Sequence, residues 1–387
     1  MQLPFIRYLY MIYQHEYLYG QILMSLKLNK QFLILIIGAL LASFTLAKHA
    51  YADSNDALAP KSSVQDALAM PLHTVTIATV SLEKSLLFYR DGMGMQVEGP
   101  LKISPALEKT HRALWQMPDD LSWQTYRLYR KGVNSAIQIR LLVLSKPMPT
   151  IHDSWNSREL GPFSLGFPNT DTIALDRHIR TIGFGALNTL ESYPIPRADG
   201  STYQIDETIF NAPDFNHGVA ITRGNGMAQL GPTDANGKGG PAYSAQVITD
   251  SASQLTFYTD VLGLEIRSDR VFKSAGDKGA MNLPNGTEFR FAIVYSKGAT
   301  TGHMLFVDFH NVEPIKPKNA PSLPNIGLGM WSFPVRSIQQ VMDNANAHGA
   351  MIVSQPKRVN DPLVGESMVA TLRAPNGFLI EVFEVQP

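Results

Sequence analysis

One stretch of this chain occurs twice. Phe88-Tyr89-Arg90-Asp91-Gly92-Met93-Gly94-Met95 returns as Phe257-Tyr258-Thr259-Asp260-Val261-Leu262-Gly263-Leu264. Each copy follows a strand-like run, 74–79 or 243–249, and then a residue suited to cap a helix, Ser81 or Asp250. An oxygen on such a side chain accepts hydrogen bonds from first-turn N–H groups that have no partner within the helix. Leu82, Leu86 and Tyr89 recur at helical spacing. Gly94 and Gly263 stand where the helix ends and a positive φ is commonly needed. Further on, Tyr129-Arg130-Lys131-Gly132 returns as Tyr295-Ser296-Lys297-Gly298, each ahead of an apolar strand, 136–144 or 304–309.

A second pair of segments echo each other separately. Gly166-Phe167-Pro168 matches Ser332-Phe333-Pro334, and a helix follows each, 172–182 stopping at Gly183 and 338–348 stopping at Gly349. Ile338, Val341, Met342 and Ala345 fall on one face of the latter. Ala212-Pro213-Asp214 matches Ala374-Pro375-Asn376, each before a closing strand. Modules one and three are therefore alike, and so are two and four, as duplication of a two-module unit would leave them. The expected modules span 72–145, 161–222, 242–311 and 326–387, grouped as a first domain over 70–222 and a second over 242–387. Between them lie a polar segment with prolines (146–160), a glycine-rich one (223–241) and a proline-rich one (312–325). Gly224-Asn225-Gly226 lacks the strand, helix and Lys-Ser/Thr context of a phosphate loop and reads as linker.

The segment from Leu82 to Asp91, closing with Met93-Gly94, resembles the first helix of the vicinal-oxygen-chelate modules found in glyoxalases, bleomycin-resistance proteins and extradiol dioxygenases. Residues 250–264 resemble it again. Ala374-Pro375-Asn376-Gly377-Phe378-Leu379-Ile380-Glu381 resembles the turn and last strand of that family, which end on a metal-binding glutamate. The resemblance implies an α+β fold: four βαβββ modules paired into two domains whose curved mixed sheets enclose a cavity. Such pairing covers the open edge and apolar face that a lone module would expose. It also implies a divalent metal held by first-strand and last-strand side chains, acting as a Lewis acid on two neighbouring substrate oxygens.

Carried onto this sequence, the first-strand positions are Thr74, Ser164, Tyr243 and Met330, and the last-strand positions are Arg140, Val219, Asp308 and Glu381. The first half offers no ordinary metal ligand. The second half keeps Asp308 and Glu381, with His310 two residues beyond Asp308 and so on the same strand face. Asp308, His310 and Glu381 are thus the expected ligands for Zn, Fe or Mn, and Glu381 and Tyr243 the expected catalytic groups. A register error of one residue would turn Asp308 the other way. His73 precedes Thr74 and faces inward only if the strand bulges. His303, at a strand start, is expected to be exposed or capping, and His217, in a turn after Asn216, to be exposed. The four tryptophans are too scattered to form a stacking platform.

Cysteine is absent, which excludes disulfides, thiolate metal sites and a cysteine nucleophile. Lys27 and Lys30, the apolar run 32–47 and Ala50-Tyr51-Ala52 form a secretory signal pattern over 1–52, with translation expected to start at Met24. The mature protein is then periplasmic or secreted. It carries no segment apolar enough to span a bilayer and no basic excess for nucleic acid. Its expected partner is a small molecule. Three functions stay open: a metal-dependent lyase, isomerase or dioxygenase; a metal-free protein that binds or sequesters a small molecule; and a structural scaffold.

Overall fold

The computed structural model describes residues 67–385, apart from 135–136, 197–199, 225, 275, 277–278 and 280. The export segment 1–52 and its expected start at Met24 lie outside the described residues.

The first module runs β1 (Thr74–Thr79), α1 (Leu82–Leu86), β2 (Gln96–Glu98), α2 (Pro105–Trp115), β3 (Trp123–Tyr129) and β4 (Gln138–Leu144). The second runs β5 (Gly161–Pro168), α3 (Thr172–Thr181), β6 (Glu191–Pro196), β7 (Thr202–Asn211) and β8 (His217–Arg223). The third holds β9 (Tyr243–Ile248), α4 (Ser251–Thr256), β10 (Glu265–Lys273), β11 (Glu288–Tyr295) and β12 (His303–Phe309). The fourth holds β13 (Gly327–Val335), α5 (Ile338–Ala347), β14 (Met351–Asp361), β15 (Gly365–Arg373) and β16 (Leu379–Glu384). The fold is α+β.

The repeated motif encodes a particular turn. In both copies the helix widens to a π turn, Leu87–Gly92 after α1 and Phe257–Val261 after α4. The Phe-Tyr pair of each copy is buried edge to face, with ring centroids 5.1 and 5.2 Å apart. Gly94 and Gly263 then take φ of 73° and 69°, the region glycine enters without steric cost. Ser81 and Asp250 accept from the N–H groups of Lys84 and Ser253.

The strands form two eight-stranded sheets. Sheet I has the order β14-β15-β16-β13-β1-β4-β3-β2, and sheet II the order β10-β11-β12-β9-β5-β8-β7-β6. The sequence reading groups modules one with two and three with four. The sheets join one with four, through antiparallel β1 and β13, and two with three, through antiparallel β5 and β9. Internal similarity tells which modules are alike, but backbone pairing at the open edges decides which ones meet. The glycine-rich segment 223–241 consequently connects neighbours within sheet II. Segments 146–160 and 312–325 cross between the sheets side by side, bridged at Thr150 with Ile326 and at Glu159 with Ile315.

The sheets pack through one large core. Val75, Ile139, Trp331 and Ile380 of sheet I meet Phe167 and Phe306 of sheet II, with Phe88 and Tyr258 from the helical turns. The Trp331 indole N–H donates to Ser244 Oγ across the two sheets at 2.9 Å. Strand alternation then sends the intervening side chains to the other, inward-curving face of each sheet.

Helix α2 is an addition to the βαβββ plan that the sequence reading missed. Its signals are present: Ser104 caps it by accepting from Leu107 N–H, Pro105 begins it, and Leu107, His111, Leu114 and Trp115 bury one face. Ser104→Ala should cost about 1 kcal/mol in denaturant unfolding. An unchanged midpoint would show that the cap does not hold α2.

Candidate functional site

The inward face of sheet I is filled at its centre. Arg140 of β4 and Glu381 of β16 meet at 2.9 Å with side chains 1% and 3% exposed. The Trp115 indole N–H, brought in by α2, donates to the other Glu381 oxygen at 2.7 Å. The Arg140 guanidinium lies over the Trp115 ring, 4.9 Å from its centroid. Burial pulls the guanidinium down, but Glu381 and then Asp361 outweigh it and raise its pKa, so the cation is held firmly. Beside the pair, His111 stacks on Trp115 and meets Asp361 at 2.9 Å. Burial opposes ionisation of Asp361, yet the His111 hydrogen bond and the Arg140 charge push its carboxyl well below the usual range. Thr76, Met330, Ser332 and Thr371 beside the pair are fully buried, while Trp123, Arg127 and Gln138 toward the edge of the face are half-buried.

The inward face of sheet II differs. It is apolar over Val219, Ala245, Leu305 and Val307, but many residues around that floor remain only half-buried, among them Glu207, Tyr193, Phe289, Phe291 and Ile293. Tyr243 of β9 sits opposite Gly166 of β5, and its ring lies flat across that residue, where any Cβ would overlap it. The phenol thereby points over β5 toward β8 and β7. There Glu207 of β7 accepts a hydrogen bond from the Tyr193 hydroxyl at 2.7 Å. Glu207 is half-buried on this face. Burial raises its pKa, against the lowering effect of the Tyr193 hydrogen bond. Burial, and then the Glu207 charge, push both the Tyr193 and Tyr243 phenols well above their usual range. Behind Tyr243, His303 is sandwiched between the rings of Tyr243 and Tyr295 at 5.2 and 4.4 Å.

Of the expected site residues, Tyr243 and Glu381 both face inward, but on different sheets. Asp308 corrects the sequence reading. Leu305, Val307 and Phe309 take the inward positions of β12, so Asp308 lies on the opposite face, paired in register with Arg290. His310 lies beyond the strand and is exposed. Asp308, His310 and Glu381 therefore do not converge, and among the described residues no group of three His, Asp or Glu side chains could hold a metal ion. The donor sets agree. Sheet I presents one carboxylate already bound by a guanidinium and an indole. Sheet II presents Ser164, Val219 and Tyr243 at the expected ligand positions. Neither fits Zn, Fe or Mn.

The histidines expected to be exposed or capping are buried instead, His303 at 2% and His217 at 3% exposure. His73 turns toward sheet I's inward face, beside Gln138 and the Phe383 ring. Glu207 was missed, although it interrupts the alternation of Tyr203, Ile205 and Ile209 on one strand. That interruption, a carboxylate among inward apolar residues, was the available signal.

Burial lowers His217 and His303 to about 3, with nearby positive groups adding to the shift. A depressed histidine stays neutral in the folded state while the unfolded chain takes up its proton below about 6.5. Its contribution is thus lost as pH falls from about 6.5 toward 3. Asp214, raised by burial to about 6, acts in the opposite direction between about 4 and 6. His217→Gln should accordingly flatten stability against pH by about 1.4 kcal/mol per unit near pH 5. An unaltered slope would contradict a buried neutral His217.

Residues 241–382 match the family model of the Glyoxalase/Bleomycin resistance protein/Dioxygenase superfamily. No curated protein sequence matches the chain. Among solved structures, glyoxalase I from Zea mays aligns at 14% identity with a TM-score of 0.53, covering 81% of this chain and 92% of that one. A point mutant of the same maize enzyme aligns at 13% identity and the same TM-score, covering 83% of this chain and 95% of that one. At such identity the likeness establishes a shared fold.

Proposed function

We propose that this chain, a member of the Glyoxalase/Bleomycin resistance protein/Dioxygenase superfamily through residues 241–382, binds a small, largely apolar organic molecule on the inward face of sheet II without a metal. One observation carries the reading. Sheet I fills the centre of its inward face with α2 and the Arg140–Glu381 pair, whereas the inward face of sheet II has a buried apolar centre rimmed by half-buried aromatic residues and Glu207. A mostly apolar recess with a few convergent polar groups is the usual form of a small-molecule site.

Nile red, a neutral apolar dye, should bind the purified protein saturably, and Ala245→Trp, which fills the floor, should abolish that binding. The protein should carry no stoichiometric metal after exposure to Zn²⁺, Fe²⁺ or Mn²⁺. One equivalent of metal, lost in Glu381→Ala, would overturn the reading, as would dye binding indifferent to Ala245→Trp.

The raised Glu207 carboxyl beside Tyr193 and Tyr243 favours a second reading, proton transfer to a bound ligand. In that case Glu207→Asp would retain turnover that Glu207→Ala loses. The signal pattern in 1–52 supports a periplasmic or secreted site of action. Cell fractionation tests this, and a cytoplasmic product with an intact N-terminus would overturn it.

A further inference from the structure

Glu207 is the one feature of the recess that an apolar ligand leaves unexplained. Among the described residues its carboxyl forms no ion pair and accepts a hydrogen bond from the Tyr193 hydroxyl. A glutamine would accept that hydrogen bond equally well without the cost of desolvating a charge. The carboxyl accepts from the Tyr193 hydroxyl, and Tyr203 lies four residues before it on the same face of β7. Tyr243 is held there by construction, its ring lying over Gly166. Arg223, the cation on the neighbouring strand, is turned to the Tyr203 ring and the Ala228 carbonyl. A carboxylate with aromatic faces around it complements a positive charge, through the ion pair and through the ring quadrupoles.

We propose that the recess is built for an organic cation, a compound with an apolar or aromatic body and one protonated amine, the amine seated against the Glu207 carboxylate between Tyr193 and Tyr243. The body lies over Val219, Ala245 and Leu305 toward Phe291. This rests on the sheet II reading above and adds the charge of the ligand to it.

The test compares three probes of matched shape on the full protein by isothermal titration at neutral pH: 2-phenylethylamine, 2-phenylethanol and 3-phenylpropanoate. Nile red displacement reports whether each occupies the recess. The amine should bind at least about tenfold more tightly than the alcohol, with the acid weakest. Glu207→Gln keeps the Tyr193 hydrogen bond and should remove the amine's advantage over the alcohol. Equal affinities in the wild type, or an amine preference that survives Glu207→Gln, would overturn the cation proposal even if Nile red still binds in the recess. Failure of Nile red to bind would overturn the site itself, and the cation proposal with it.

Discussion

Glu381→Ala is expected to destabilise the protein by about 3–5 kcal/mol, the cost of leaving a buried guanidinium without its counter-ion. Arg140 is 1% exposed and has no route to water, so it cannot recover the lost interaction by moving outward. The Trp115 indole loses its acceptor in the same substitution. Replacing both members, Arg140→Met with Glu381→Leu, should recover most of the loss, because apolar groups of similar volume carry no desolvation cost. Denaturant unfolding of the two single variants and the double variant measures this as a thermodynamic cycle. A Glu381→Ala protein as stable as the parent would show that the pair is not buried together. Glu381 holds the position where the resemblance puts a metal ligand, yet its expected role in this chain is to neutralise Arg140.

Gly166→Ala should be the second most damaging of these changes, at about 3 kcal/mol, the upper end of what an inserted methyl costs in a packed site. Gly166 has ordinary extended backbone and needs no special φ. What it supplies is space, since a Cβ would occupy the volume of the Tyr243 ring. The ring cannot tilt away freely, because His303 is stacked on its other side. The displaced phenol should also disturb Nile red binding in the recess. On a Tyr243→Val background the same Gly166→Ala change should cost less than about 1 kcal/mol, because the clash partner has gone. Equal costs in both backgrounds would show that the ring does not lie where it is described.

Much of the fold was legible because its determinants are local. The capping oxygens of Ser81 and Asp250, the Phe-Tyr pairs of the widened turns and the positive-φ glycines Gly94, Gly263, Gly183 and Gly349 each act within a few residues. They recur at matching places in their modules, so the repeat announced both the modules and their kinship. Alternation likewise gave β1 and β9 their faces, and Tyr243 faces inward on β9.

The site was less legible. Asp308 fails by a single residue of register, since a strand turns each neighbour to the opposite face and no local feature marks which apolar residues of β12 meet the floor. His217 and His303 read as turn and strand-start residues, and only the rings packed on them, Phe163, Tyr243 and Tyr295, show that they are buried.

The sequence by itself determined the module, its number and its turns, because hydrogen-bond capping, backbone φ and side-chain periodicity operate at short range. Tertiary structure alone decided which modules share a sheet, and with that the chemistry of each inward face. Arg140 and Glu381 lie 241 positions apart and belong to different halves of the duplication. They become an ion pair only because the open edge of β1 finds β13. The same kind of long-range pairing, β5 with β9, lays Tyr243 over Gly166 and brings its phenol toward Glu207.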